Sequence, residues 1–453
     1  MTVTRRVSST GLILALVCAA QFMVILDSAI VNVALPTVQR DLGFAAPELA
    51  WVVNGYLLTF AGFMLLGGRA ADLFGQRRML IAGLLVFAAA SVVGGLATAP
   101  GVLIAARIVQ GTGAAMLAPA TLAVINTHFT AASERARAFG AWSAAGGVGG
   151  MAGAVAGGAI TTGLSWRWVF LINLPIGAVL VAVAALVLPA ADRRERESLD
   201  LVGALSVTAG LAALIYSVMQ SADSGWAAAR VTRPILAAFV LIGIFVVVEA
   251  RVAPRPMLPL RLFRSRVVAV DNVLLVLFGG IAIAMWYFSA LLLQNVLHYS
   301  ALRAGLGQTP AAVTFVVVAR MAAARLPRTG ARPLLLAGCA FLVAGFGWLS
   351  GAGGQTGYVG GILGPTLLVG IGIGLVFPTL MATATHGVPA GDAGVAGGLA
   401  STANQVGGSI GLAVLATVAG SDGSGYGRVF FVAAGIGVAI AAAGLLLPRR
   451  ARH

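Results

Sequence analysis

The sequence predicts an all-α integral membrane protein of fourteen spans, and three observations carry that prediction. Apolar residues fill 59% of 453 positions, charged residues fill 9%, and the mean hydropathy is +0.98; a soluble chain must show water more polar surface than such a composition supplies. The apolar residues fall into fourteen runs with short polar interruptions. The arginines sort onto alternate connections between those runs, as basic residues do when they resist translocation.

The runs cover 11–35, 51–68, 80–97, 102–125, 139–161, 169–189, 201–219, 235–248, 267–293, 302–318, 333–349, 358–381, 395–419 and 429–447. About 20 apolar residues rising roughly 1.5 Å each cross a hydrocarbon core as a helix, and most of the runs approach that length. The segment MTVTRRVSST ahead of the first run mimics a signal peptide. The run at 11–35 is too long for a signal core and lacks a convincing cleavage site, so it reads as an uncleaved span. With Arg5 and Arg6 placed inside, only Arg40, Arg167, Arg230, Arg233, Arg303 and Arg428 fall on outer connections, Arg107 lies within a span, and the rest of the 29 basic residues lie inside. Both termini are therefore expected in the cytoplasm. All 29 bases are Arg, and the +15 formal charge belongs to loops at a lipid bilayer, so no nucleic-acid partner is expected.

The first run ends in QFMVILDSAIVNVALP and carries an acid, Asp27. At 100° per residue Gln21, Ser28 and Asn32 share one narrow face with Asp27 on its flank, a polar arc that reads as a cavity lining. An ionisable group within a span is costly and normally marks a substrate or proton path. The alternative is that Asp27 only pins its helix to a neighbour by a buried hydrogen bond. In the fourth run, LIAARIVQGTGAAM, Arg107 lies about 10 Å from the outer end and Asp27 about 12 Å from the outer end of its own helix, counting roughly 1.5 Å per residue. Acid and base at matching depth compensate one another, and a carboxylate held between cation and apolar surroundings can take and release a proton as a cavity opens. A permanent ion pair joining helices is the alternative, and Gln110, one turn on, offers Arg107 a structural partner.

GGRAADLFGQRRML packs Gly68, Asp72, Gly75, Arg77 and Arg78 into the shortest inner connection. Such a loop turns tightly and brings Asp72 towards helix N-termini, whose amides favour an anion by about 0.3–1 kcal/mol, enough to bias two states without locking either. In GGVGGMAGAVAGGAI, Gly149, Gly153 and Gly157 recur every fourth residue with Gly158 alongside. Small residues on one face admit a close neighbour, and many glycines also let a helix bend; the sequence does not separate the two.

Asp271 lies about one turn into the ninth run beside Asn272. It reads foremost as an interfacial acid paired with Arg264 or Arg266, and otherwise as a second protonation site or a selector for cationic substrate. Trp142, Trp286, Tyr287 and Phe377 could line a pocket by stacking or cation–π contact, although each residue type more often packs or anchors at an interface. Cys18 and Cys339 sit in apolar runs and read as small core residues without disulfide or metal role. His128, His298, His386 and His453 are scattered, so no metal site or catalytic constellation is expected, and a chain without Lys has no GxxxxGK[ST] phosphate loop.

Taken in order, these motifs resemble the major facilitator superfamily and, within it, the fourteen-span drug:proton antiporter family. LDSAIVNVALP at 26–36 is similar to the first-helix motif, 68–78 to the loop motif between helices two and three, and Arg107 with Gln110 and Gly111 to the fourth-helix motif. The glycines 149, 153, 157 and 158 resemble the antiporter motif of the fifth helix, with Ala154 where proline is usual, which softens the expected kink. WRWVFLINLPIG at 166–177 and the stretch around Asn404, Gln405, Gly407 and Gly408 are also similar to the family.

The resemblance implies a major facilitator fold: an N-terminal six-helix bundle at 1–190, two additional transmembrane helices and linkers at 191–266, and a C-terminal six-helix bundle at 267–453. It implies a proton-coupled antiporter that exports amphipathic drugs or antibiotics, not an enzyme, with no cofactor beyond the proton gradient, working as a monomer in the bacterial cytoplasmic membrane. Asp27 with Arg107 would couple protons, and Asp72, Arg77 and Arg78 would form the cytoplasmic gate. Its second-half counterpart at 325–332 has arginines but no acid, so gating should be asymmetric. Gln21, Asn32, Gln110, Asp271, Trp286 and Asn404 are the candidate cavity residues. The alternative is proton-independent or symport-type transport of a specific metabolite.

Overall fold

A computed structural model describes residues 3–189, 200–252, 256, 258, 260–352, 357–384, 388, 393–420 and 425–447. Backbone amides and carbonyls find no partner in lipid, so each span must satisfy them internally, and helices do so. The described residues form fifteen α-helices and no strand. In the first half these are α1 (Val3–Leu42), α2 (Ala46–Phe74), α3 (Gln76–Gly95), α4 (Pro100–His128), α5 (Ala132–Gly163), the single turn α6 (Trp168–Leu171) and α7 (Asn173–Val187). Two intervening helices follow, α8 (Leu201–Ser224) and α9 (Ala229–Val247). The second half holds α10 (Arg266–Leu291), α11 (Ala301–Thr329), α12 (Ala331–Leu349), α13 (Gly364–Thr383), α14 (Ala393–Ala419) and α15 (Tyr426–Gly444). Counting α6 and α7 as one broken rod gives two six-helix halves and two extra helices.

Among the described residues, thirteen helical stretches are long and apolar enough to cross a membrane. The remaining rod, α14, has 27 residues, and its apolar character is diluted by Asn404, Gln405 and several glycines. Local signals set the ends. Pro100 starts α4, where its missing N–H would be unpaired anyway. The Asp200 carboxylate accepts from the Gly203 amide at 2.7 Å to cap α8, and Ser300 caps α11 through the Arg303 amide at 3.3 Å. Gly75, at φ +90°, is the whole turn between α2 and α3, and Gly330, at φ +79°, is the matching turn between α11 and α12. A side chain at such a φ costs about 1–2 kcal/mol.

Within the first half, α1 packs along α5, and α4 lies between α2 and α3. A Cβ on Gly153 would lie 2.7 Å from the Ala29 Cβ and 2.8 Å from the Leu26 carbonyl, and one on Gly149 would lie 2.8 Å from the Phe22 carbonyl, so both glycines let α5 press against α1. At the end of the bundle opposite the arginine-rich connections, called the far end below, the two halves meet. There Gly158 of α5 abuts Ala301 and Leu302, Gly305 of α11 abuts the Ala154 carbonyl, and Gln294 donates to the Val33 carbonyl at 2.9 Å.

The second seam runs between α2 and α14, and α8 packs on both. Thr208 fills the hollow at Gly62, and Thr417 donates to the Val218 carbonyl at 3.0 Å. The first extra helix, α8, therefore braces that seam, and α9 packs on α8.

Candidate functional site

The acid and base placed at matching depth by the sequence meet in the interior of the first half. Arg107 Nη1 donates to Asp27 Oδ2 at 2.6 Å, with the two side chains 1% and 0% exposed. The same nitrogen donates to Gln110 Oε1 at 2.6 Å, and Arg107 Nε donates to the Val52 carbonyl at 2.9 Å. The guanidinium lies 4.2 Å from the centre of the Tyr56 ring and 5.9 Å from that of Phe170. The second carboxylate oxygen, Asp27 Oδ1, accepts from Gln110 Nε2 at 2.8 Å and from Asn173 Nδ2 at 2.8 Å. Both amides also reach Ser91 Oγ, at 2.6 and 3.1 Å.

Five rods thus contribute to one knot: Asp27 from α1, Tyr56 and Val52 from α2, Ser91 from α3, Arg107 and Gln110 from α4, and Asn173 where α6 breaks into α7. A carboxylate taken out of water is tolerable when its charge is matched and its lone pairs are occupied. Three donors do this for Asp27. Every one of these contacts uses the carboxylate as acceptor, and its charge is the counter-charge to Arg107.

Several expectations need correction. The polar arc of α1 does not act as one lining: Asp27 turns into the half's interior, whereas Gln21 and Ser28 are half-buried and Asn32 is 4% exposed. Gln110, expected in the cavity, is 1% exposed and belongs to the knot, because its amide bridges Arg107 to Ser91. Asp271 does not pair with Arg264 or Arg266. It is wholly buried with neither carboxyl oxygen partnered, while both arginines are exposed. The two arginines stay at the surface, while Leu258 and Leu262 of the linker pack with Leu399 and with Val268, one turn before Asp271.

The loop motif is mostly helix. Gly68 and Asp72 lie on the last turns of α2, and only Gly75 is turn. Gly68 faces Pro119 of α4, and Arg77 donates to the Ala185 carbonyl near the C-terminus of α7 at 2.7 Å, where a cation suits the exposed carbonyls. Arg78 is exposed, and the Asp72 side chain lies outside the described ones. Gly157, like its two predecessors, faces α1, at the Ile30 carbonyl, whereas Gly158 faces α11.

Trp142 donates to Thr121 at 3.1 Å, the Trp286 carbonyl accepts from Gln308 at 3.1 Å, and Phe377 stacks on Phe278 with centroids 6.0 Å apart. Tyr287 is buried against Phe288, with centroids 4.9 Å apart. Asn404 is half-buried with its Oδ1 unpartnered. Cys18 and Cys339 are free thiols in opposite halves.

Sequence reasoning missed Tyr56, Ser91 and Asn173. Only Asn173 carried a signal, an amide inside the apolar run VFLINLPIG. The preceding WRW has a role too: Trp166 Nε1 and Arg167 Nη1 donate to Asp41 Oδ2 at 2.7 and 2.8 Å, tying the end of α1 to the turn before α6.

Two packed six-helix halves that close on each other at one end, with a buried charge knot in the first, are the architecture of a membrane transporter. The chain belongs to the Major Facilitator Superfamily, whose family profile it matches over residues 17–412. It is 44% identical to the cephamycin export protein CmcT of Amycolatopsis lactamdurans, over 99% of this chain and 95% of that protein. It is 39% identical to the puromycin resistance protein pur8 of Streptomyces alboniger, over 91% of this chain and 82% of that protein. Its fold is similar to that of a D-xylose-proton symporter, with a TM-score of 0.72 over 97% of this chain and 98% of the other at 14% identity.

Proposed function

We propose that this chain is a proton-coupled antiporter that exports an amphipathic antibiotic or drug from the cytoplasm across the bacterial cell membrane, with both termini cytoplasmic and the proton gradient as its only energy source. The observation that carries the coupling is the Asp27–Arg107 contact at 2.6 Å in a wholly buried setting. A charge pair that merely held helices together could be replaced by apolar packing at little cost. A carboxylate held by a cation and two amides has one reversible way to let go, which is to accept a proton. The export direction rests on relatives whose names specify cephamycin export and puromycin resistance.

On this reading the conformation seen is closed to the outside, since Gly158, Gly305 and Gln294 hold the halves together at the far end. Substrate would enter from the arginine-rich side, between the halves, against α1, α10 and α14; Gln21, Trp286 and Asn404, half-buried here, and Asn32, buried here, would contact it as the halves move apart. Proton entry at Asp27 would loosen Arg107 and, with it, the joint between α1 and α4. Gly149, Gly153 and Gly157 would let α1 move along α5 as a unit. Arg77 and Arg78 with Asp72 would steady the opposite state. The protein would act as a monomer.

The test is efflux from cells expressing the chain, probed with puromycin, a cephamycin and ethidium, with and without a protonophore. Export of at least one probe that exceeds the empty-vector control and collapses with the gradient is expected. Export indifferent to the protonophore would contradict the proton coupling and favour gradient-independent passage; export of none would contradict the drug reading.

A further inference from the structure

We propose that Asp271 is a second proton site of this transporter, carrying its proton in the conformation seen here. The inference deepens the proton-coupled reading above and rests on it for its role in transport. It comes from a contrast between two acids of the same type and the same burial. Asp27 is 0% exposed and its oxygens receive three donors; Asp271 is 0% exposed and neither of its oxygens has a partner. Its neighbour offers no relief, because Asn272 Nδ2 donates to the Val268 carbonyl of its own helix at 2.8 Å, and Asn272 Oδ1 is itself unpartnered.

Among the described side chains, no charge from the surrounding elements compensates it; those of Arg5 and Arg6 on α1 and of Arg255 in the linker lie outside the described ones. Arg266 at the start of α10 and Arg261 and Arg264 in the turn before it are exposed. The described parts of α13 and α14, which pack on α10, hold no ionisable residue. On α15, Tyr426 and Arg428 lie at its far end, and on α11 Arg303 lies at the far end, while Arg320, Arg325 and Arg328 are exposed. On α1, Asp27 is committed to Arg107, and Arg40 and Asp41 sit in the last turn at the far end. Glu249, in the π-helical turn after α9, accepts from the Leu258 amide at 3.0 Å and so anchors the linker that packs on Val268, one turn before Asp271.

An ionised carboxyl without donor or counter-charge in such a place is among the most unfavourable arrangements a fold can hold. A bound proton removes the charge and needs no space, whereas a drug-sized cation cannot touch a group with no exposed surface. The position also supplies an exit. Val268, one turn before Asp271, shares its apolar cover with Leu258, Leu262 of the linker and Leu399 of α14. Movement of α14 against α10 would part that cover. The carboxyl O–H bond would then break, its proton would pass to water, and the carboxylate would remain hydrated until the cover closes again.

The experiment is infrared spectroscopy of the purified full-length protein in liposomes at neutral pH, in H2O and D2O, reading the carbonyl stretch of a protonated carboxyl group. The wild type should show a deuterium-sensitive band of this kind, absent in Asp271→Asn and retained in Asp27→Asn. A wild type without the band, or an Asp271→Asn protein that keeps it, would overturn the proposal. Asparagine matches the size and neutrality of a protonated aspartate, so Asp271→Asn should melt within a few degrees of wild type, and a collapse of its fold would also count against the assignment. No substrate is needed, so failure of the transport reading and failure of this one are told apart.

Discussion

Removing one member of the Asp27–Arg107 pair leaves the other charged, buried and short of a partner, at a cost of about 3–5 kcal/mol. Arg107→Leu should therefore lower the stability of the purified protein by that order, measured by thermal unfolding in detergent. Asp27→Asn should cost less, because Gln110 Oε1 and the Val52 carbonyl still accept from Arg107 at 2.6 and 2.9 Å. The Asp27→Asn/Arg107→Leu double variant should be more stable than the sum of the single losses predicts, since residues in one network do not add; strict additivity would mean that the pair is not coupled. The pair itself was legible in the sequence, because charges stand out in an apolar run and helical rise fixes their depth. Tyr56 and Ser91 were not, since either type is unremarkable in a span, and Val52 acts through a carbonyl that every residue has. Asp271 shows the same limit from the other side: its depth along the helix was readable, but its complete burial without a partner was not.

On the scale of the helix, the glycine ladder of α5 has a direct test. A valine at Gly153 would collide with Ala29 and the Leu26 carbonyl, whereas Gly140 has nothing within 4 Å of its Cβ position. Gly153→Val should destabilise by roughly 1–3 kcal/mol through overpacking and lower transport with it, since α1 carries Asp27. Gly140→Ala should leave melting temperature and transport as they are; equal effects at both sites would show that α5 does not bear on α1 as described. The order and number of the spans could be read from the sequence because apolar runs are long and arginines alternate. Their lengths were less readable. The tenth run was expected to end at 318, yet α11 continues to Thr329, because Arg320, Arg325 and Arg328 stay exposed and let the helix continue in register. The break of the sixth rod beside Asn173, with Pro175 close behind, was hidden inside a continuous apolar run. The glycine spacing announced a close contact without naming the partner helix, since periodicity fixes a face but not what it meets.

On the scale of the whole molecule, the halves close at the far end through contacts that leave no room for a side chain. Gly305→Val should wedge α11 from the Ala154 carbonyl and shift the population away from this closure. With Cys18 and Cys339 replaced by Ser, a reporter Asn32→Cys, at a site now 4% exposed, should then react with a maleimide at least tenfold faster, a bias of about 1.4 kcal/mol; unchanged labelling would mean that this seam does not set the closed state. How the two halves meet was beyond the sequence, which gives each helix its faces but not the pairing of α5 with α11 or of α2 with α14. The most direct test of the central claim uses liposomes reconstituted with the protein, loaded with a pH-sensitive dye and presented with an exported probe such as puromycin. Wild type should move protons against the drug, and Asp27→Asn should lose the proton movement and the drug accumulation together while remaining inserted and folded. Drug-driven proton movement undiminished in Asp27→Asn would contradict the assignment of coupling to the Asp27–Arg107 knot.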